Sequence, residues 1–255
     1  MPDEYIPDHP PATATADLAT WQARLARVRA RVNEATIAAG RAADSVTLLP
    51  TVKYIELADT ALLVAAGATD LAENRLDALI AKQAAVGDLR TQRGPASVSW
   101  HYIGRVQSRQ VAEIAARVGP TGTIHSLASE RAFAKLATAA ANGLQLPELL
   151  LQVNAADDPA KDGVALEAVE RLLGALPESI RIAGFMTMPA FATDPESSRL
   201  AFSALRDLRD RLATTFAGRH DLTALSMGTT QDLAVAIAEG ATHVRLGRIL
   251  FSDGE

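Results

Sequence analysis

Residues 223–251 read TALSMGTTQDLAVAIAEGATHVRLGRILF. The run at 223–226 is short and mostly apolar, and the turn residues Gly228, Thr229 and Thr230 follow it, as expected of a buried strand. Residues 230–239 are rich in Ala, Leu, Val and Ile and end at Gly240, as expected of a helix with a glycine stop. A second apolar run at 243–246 resumes strand character. Strand, helix and strand joined by short turns is the unit of a parallel sheet, because parallel strands need a crossover rather than a hairpin.

The same alternation extends back through the chain. Short apolar runs at 46–52, 70–72, 99–103, 123–125, 149–153 and 180–185 predict six more strands. Stretches of helical length lie between them at 56–66, 75–86, 107–118, 129–141, 166–176 and 196–216. A helix also precedes the first strand, since Leu18, Trp21, Leu25, Val28 and Val32 recur at three- and four-residue spacings before Gly40. Eight strands alternating with helices fit an α/β fold, a single (β/α)8 TIM barrel. The alternation alone also fits an open doubly wound sheet.

Composition narrows the function classes. The 255 residues are 48% hydrophobic but only 4% aromatic, so the core is aliphatic, which suits helices packed on a buried sheet. Zero Cys excludes a disulfide scaffold, a thiolate metal centre and cysteine catalysis, and fits a reducing compartment. A formal net charge of −5 argues against a nucleic-acid binder. No segment approaches the roughly 20 apolar residues that span a bilayer. Residues 1–16 hold four of the 12 prolines and no apolar periodicity, so they are expected to be a flexible leader, with 17–255 as the barrel. They also lack the basic and apolar regions of a signal peptide, and a cytoplasmic protein is expected.

In a barrel the chemistry sits at the carboxyl ends of the strands. Of four lysines, Lys82 and Lys135 fall in helical stretches and Lys161 in a polar loop; Lys53 alone ends a strand, in VTLLPTVKYIEL. Partial desolvation there lowers an amine's pKa and suits it to a Schiff base, although the position equally fits a lysine snorkelling to solvent. Ser226, Gly228, Thr229 and Thr230 follow the seventh strand at a helix start, where free amides attract an anion. Arg245, Gly247 and Arg248 belong to the end of the eighth. Those two loops commonly hold a phosphate in barrels, although helix capping accounts for the same residues. A carbonyl-reactive lysine beside a phosphate cup points to pyridoxal 5'-phosphate (PLP). Asn74, His101, His125, Asn154, Met186 and Met188 are weaker strand-end candidates. The five histidines show no HxH or HExxH spacing, and no metal is expected.

In order along the chain come VKY at Lys53, DLAENR, WHYIGRVQS, IHSLAS, LLLQVN, GFMTMP, LSMGTTQDLAVAIAEGATHVRLG and ILF. With these motifs in register from about residue 18 to 252, the chain resembles the YggS/PROSC-type pyridoxal phosphate homeostasis proteins, which share the fold of the alanine racemase N-terminal domain. The resemblance implies that Lys53 carries PLP as a Schiff base and that Asn74 lies beside the cofactor; His101 and Met186 are further candidate cofactor-binding residues. It also implies that Ser226 and amides around Gly228, Gly247 and Arg248 hold the phosphate, and that Arg245 faces the pyridine nitrogen. A guanidinium does not readily take a proton, so the ring nitrogen stays neutral and the ring is a weak electron sink.

Several positions depart from the family pattern: Val52 stands where Ser or Thr usually precedes the lysine, Pro50 lies within the strand, and Arg248 replaces a small hydroxyl residue. The expected function is a PLP carrier or buffer without dedicated turnover, influencing amino-acid and keto-acid balance. It would be a monomer, with PLP-dependent apoenzymes as candidate recipients. A PLP-dependent amino-acid racemase is the alternative. Two-base racemisation needs groups on both faces of the bound amino acid, and alanine racemases take the second from an added C-terminal β-domain. The sequence ends nine residues after the last expected strand, and Tyr54 and Tyr102 are the only tyrosines outside the leader. A third reading is a barrel for another phosphorylated metabolite, with Lys53 as a charge partner.

Overall fold

A computed structural model describes residues 16–53, 55–93, 98–190 and 193–251. The expected leader therefore lies, apart from Ala16, outside the described residues. The elements run α1 (Leu18–Ala38), β1 (Thr47–Pro50), α2 (Leu57–Ala65), β2 (Asp70–Glu73), α3 (Leu76–Arg93), β3 (Ser99–Tyr102), α4 (Val111–Val118), β4 (Thr123–Leu127) and α5 (Glu130–Ala141). They continue with β5 (Glu148–Asn154), β6 (Val164–Ala165), α6 (Val169–Ala175), β7 (Gly184–Met186), α7 (Arg199–Thr215), β8 (Ala224–Ser226), α8 (Leu233–Ala238), β9 (His243–Leu246) and α9 (Arg248–Phe251).

The pairing order is β1-β9-β8-β7-β5-β4-β3-β2, parallel throughout. A bridge between Thr51 and Ala72, with Val52 N–H donating to Ala72 O at 2.9 Å, brings β1 to β2 and closes the ring. The eight expected strands thus form a barrel rather than an open sheet. A ninth, β6, was not expected; it adds Val164 and Ala165 to the end of β5 from the polar loop around Lys161.

Pro50 sits in β1 opposite Leu246 without breaking the ladder to β9. Thr47 N–H donates to Thr242 O at 2.7 Å and Thr51 N–H to Leu246 O at 2.9 Å, so residues of the other parity supply these donors. The strand expected at 180–185 begins only at Gly184. Ile180 and Ile182 are fully buried, and side chains as well as turn backbone satisfy their polar groups. Arg219 Nη1 donates to Ile180 O at 2.9 Å, and Ile182 N–H donates to His220 Nδ1 at 3.3 Å.

The core is aliphatic, with Leu, Val, Ile and Ala forming one cluster between barrel and helices and few aromatics, chiefly Trp21, Phe133, Phe185 and Phe202. Each buried Leu, Val, Ile or Phe side chain contributes roughly 1.5–3 kcal/mol by leaving water. Helix α1 presents Trp21, Leu25, Val28 and Val32 to this core, and Trp21 Nε1 donates to Asp59 Oδ1 on α2 at 3.1 Å. Among the described residues no helix is long and apolar enough to cross a membrane.

Candidate functional site

The ends of β8, β9, β1 and β2 are consecutive around the ring, and they carry Ser226 and Gly228, Arg245 with Gly247 and Arg248, Lys53, and Asn74. The sequence-expected residues are thus brought into one arc, flanked by Met186 on β7 and His101 on β3. Lys53 is half-buried in a turn after β1, where Ile55 N–H closes on Val52 O at 3.2 Å. Gly247 has no left-handed backbone, and a Cβ built on it would meet only Thr51 at 3.6 Å, an ordinary contact. Nothing in the protein's packing therefore demands a glycine there. Gly228 differs: its φ is +95° and a Cβ would lie 2.4 Å from that of Ala236, so the loop requires glycine.

Arg245 is a buried cation of the arc. Its Nη1 donates to Ser226 Oγ at 2.8 Å and its Nη2 to Thr187 O at 3.0 Å, which ties β9 to the ends of β8 and β7. Burial pulls its pKa from 12.5 down to about 10, which leaves it charged at neutral pH. Ser226 is fully buried beneath it, so its hydroxyl serves the guanidinium. The helix after β8 starts at Leu233, later than expected, because the Asp232 carboxylate takes both the amide and the hydroxyl of Thr229, at 2.7 and 3.0 Å. Thr229 therefore offers no free amide. Arg248 is exposed at the start of α9. Met186 is buried in β7, whereas Met188, two residues on, is exposed.

Two residues of this end were not anticipated. Lys82, assigned to a helix face, is 3% exposed; its Nζ donates to Glu73 Oε2 at 2.5 Å and to the carbonyl of Val52, beside Lys53. Glu73, fully buried, accepts through Oε1 from the amides of Asn74 at 2.6 Å and Arg75 at 3.1 Å. One buried ion pair thus holds both the lysine turn and the asparagine loop. Tyr102 is buried, and burial together with the charges of Glu73 and Asp77 raises its phenol pKa.

Three of the five histidines form a cluster inside the barrel. Ring centroids of His101, His125 and His243 lie 5.2 to 6.1 Å apart although their strands are not all neighbours. His101 Nδ1 lies 3.0 Å from His125 Nε2, and its Nε2 lies 3.2 Å from Asp70 Oδ1. Both its ring nitrogens are thus engaged within the protein. His125 Nδ1 lies 2.8 Å from Ser226 Oγ. Burial, reinforced by the neighbouring His101, His243 and Arg245, drives the His125 pKa well below 6.5. Burial, with His101 and Arg245, lowers that of His243 to about 4 against an opposing pull from Asp70.

The family model for the alanine racemase N-terminal domain matches residues 17–254. A pyridoxal phosphate homeostasis protein from Pseudomonas aeruginosa is 34% identical over 92% of this chain and 96% of its own length. One from Aquifex aeolicus is 32% identical over 90% and 96%. The solved structure of PipY from Synechococcus elongatus with PLP bound superposes with a TM-score of 0.74 at 28% identity, covering 91% of this chain and all of that one. A closed barrel that sets Arg245 on β9 beside β1 and its Lys53 turn, and whose sequence matches these relatives nearly end to end, belongs to the pyridoxal phosphate homeostasis protein family, within the alanine racemase N-terminal domain fold.

Proposed function

We propose that the chain binds PLP at the arc formed by β8, β9, β1 and β2, and acts in PLP homeostasis as a carrier or buffer. The observation that carries this reading is that the Lys53 turn after β1 and Arg245 on the neighbouring strand β9 lie towards the same end of the barrel, with Thr51 N–H bonded to Leu246 O between the two segments. The donor set fits the cofactor. A lysine amine can condense with its aldehyde and release water, a buried guanidinium suits the ring nitrogen, and Gly247, with no side chain of its own, leaves its backbone accessible to a phosphate. The relatives' names and the cofactor in PipY support the choice of PLP over another phosphorylated metabolite. Asn74, Gly228, Met186 and Arg248 complete the proposed contacts, while His101 and Ser226 act through Arg245.

PLP when bound supplies an electron sink at its ring. Arg245 keeps its own protons and does not protonate the ring nitrogen, which supports storage over turnover. Tyr102, with its raised pKa, is a poor proton donor or acceptor for a second face, and Tyr54 lies outside the described residues. The same reading has a cytoplasmic monomer passing PLP to apoenzymes. Purified protein mixed with PLP and then reduced with borohydride is expected to gain the mass of one phosphopyridoxyl group, mapped to Lys53. A colourless protein that gains no mass overturns the proposal.

A further inference from the structure

We propose that Asp70, His101, His125 and Ser226 form a one-way hydrogen-bond relay through the barrel interior that fixes the Arg245 guanidinium and couples it to protonation at the opposite end of the barrel. This rests on the function proposed above only in what Arg245 is taken to serve; the relay itself follows from counting protons.

Arginine has donors and no acceptor, so the 2.8 Å contact makes Ser226 Oγ the acceptor. At the other end ionised Asp70 only accepts, so His101 carries its proton on Nε2. A neutral imidazole has one N–H, which leaves His101 Nδ1 bare, and the 3.0 Å contact must take its proton from His125 Nε2. His125 Nδ1 is then bare as well, and the Ser226 hydroxyl donates to it at 2.8 Å. Every bond therefore points from Arg245 to Asp70. The Ser226 lone pair stays turned to the guanidinium because its single proton is committed the other way.

The two ends differ in access. Ser226 and His125 are fully buried, whereas Asp70 starts β2 at the amino end of the barrel with its side chain 28% exposed. It lines a cavity of about 250 Å³ with Arg29, Asn33 and Asp44. The groups facing the two imidazoles are Asp70 from β2, Ser226 from β8, and His243 and Arg245 from β9; Thr69 Oγ1 also donates to Asp70 Oδ2 at 2.7 Å. Burial works against the Asp70 charge, but the bonds from His101 and Thr69, with the fields of His101 and His243, outweigh it and hold the carboxyl below its usual range. A proton added to His101 makes Nδ1 a donor and forces the His125 proton from Nε2 to Nδ1. Ser226 then receives two donors and loses its own acceptor. Acid at the far end thus removes the acceptor that fixes the Ser226 hydroxyl beneath the guanidinium at the cofactor end.

The test uses the full chain labelled with [15N]histidine, first without ligand. Long-range ¹H–¹⁵N spectra at pH 8 are expected to show His101 and His125 both protonated on Nε2. On acidification His125 is expected to move to Nδ1–H in step with protonation of His101. Asp70→Ala is expected to mix the His125 tautomers and weaken PLP binding about tenfold, and Asp70→Asn, which keeps an acceptor for His101, to restore most of both. A wild-type His125 protonated on Nδ1 at pH 8 overturns the relay, whether or not Asp70→Ala folds. Tautomers as expected but PLP affinity unchanged in a folded Asp70→Ala overturn the coupling to Arg245. Failure of wild-type protein to take up PLP strikes the proposed function and that coupling, while the ligand-free spectra still decide the relay.

Discussion

A Cβ built on Gly104 would lie 1.8 Å from the carbonyl oxygen of Asn74, so the chain after β3 rests directly on the loop after β2. Gly104→Ala must push that loop away. It is expected to destabilise the protein by about 1–3 kcal/mol in denaturant unfolding and to reduce PLP retention by displacing Asn74. Unchanged stability would mean that the two loops separate freely.

The buried Lys82–Glu73 pair is expected to be costly to break from one side. Lys82→Ala leaves Glu73 buried without its cation and should lower unfolding free energy by about 3–5 kcal/mol. Pairing Lys82→Met with Glu73→Gln should recover part of the loss. Because the lysine also bonds the Val52 carbonyl, Lys82→Ala should slow attachment of PLP to Lys53, read by borohydride trapping over time.

Stability should fall on mild acidification. His125 and His243 are held below 6.5 in the folded barrel but ionise near 6.5 once unfolded, so the unfolded chain binds more protons in that window. The stabilisation is complete above pH 6.5 and is lost as pH falls, by up to about 1.4 kcal/mol per pH unit for each histidine. For His243 the decline ends near its folded pKa of about 4. Urea midpoints at pH 7.5, 6 and 5 measure this, and His243→Gln should flatten the slope. A stability independent of pH across that range would contradict neutral buried histidines.

Arg245 makes two divergent bonds, to Ser226 Oγ and Thr187 O, which a lysine's single ammonium does not reproduce in the same plane. Arg245→Lys is expected to raise the PLP dissociation constant by about 10- to 100-fold while Lys53 remains trappable. Ser226→Ala should have a smaller effect of the same sign. Equilibrium dialysis checks both.

Much of the architecture was legible because each strand announces itself locally. The apolar runs at Lys53, at Ser226 and at Arg245 mark strand ends, and a closed parallel ring brings the first and last strands together. The histidine cluster was not legible. His101, His125 and His243 sit on β3, β4 and β9, and their spacing along the chain carries no trace of a meeting across the interior. Lys82 was missed for a related reason, since a lysine inside an Ala- and Leu-rich helix reads as a solvated residue until α3 is packed against the barrel end. The late start of β7 was equally hidden, because its lead-in is satisfied by Arg219 and His220 from after α7.

The pairing of β1 with β9 also governs how the chain is made. Thr47 finds its partner in His243, and Arg41 Nη1 donates to the Ala241 carbonyl at 2.7 Å across 200 positions. During synthesis β1 emerges early with one edge lacking its neighbour until the last strand leaves the ribosome, and such edges invite pairing with other chains. The protein's exposure to aggregation is therefore concentrated before β9 is made, and truncation ahead of residue 243 should yield insoluble product rather than a smaller folded barrel.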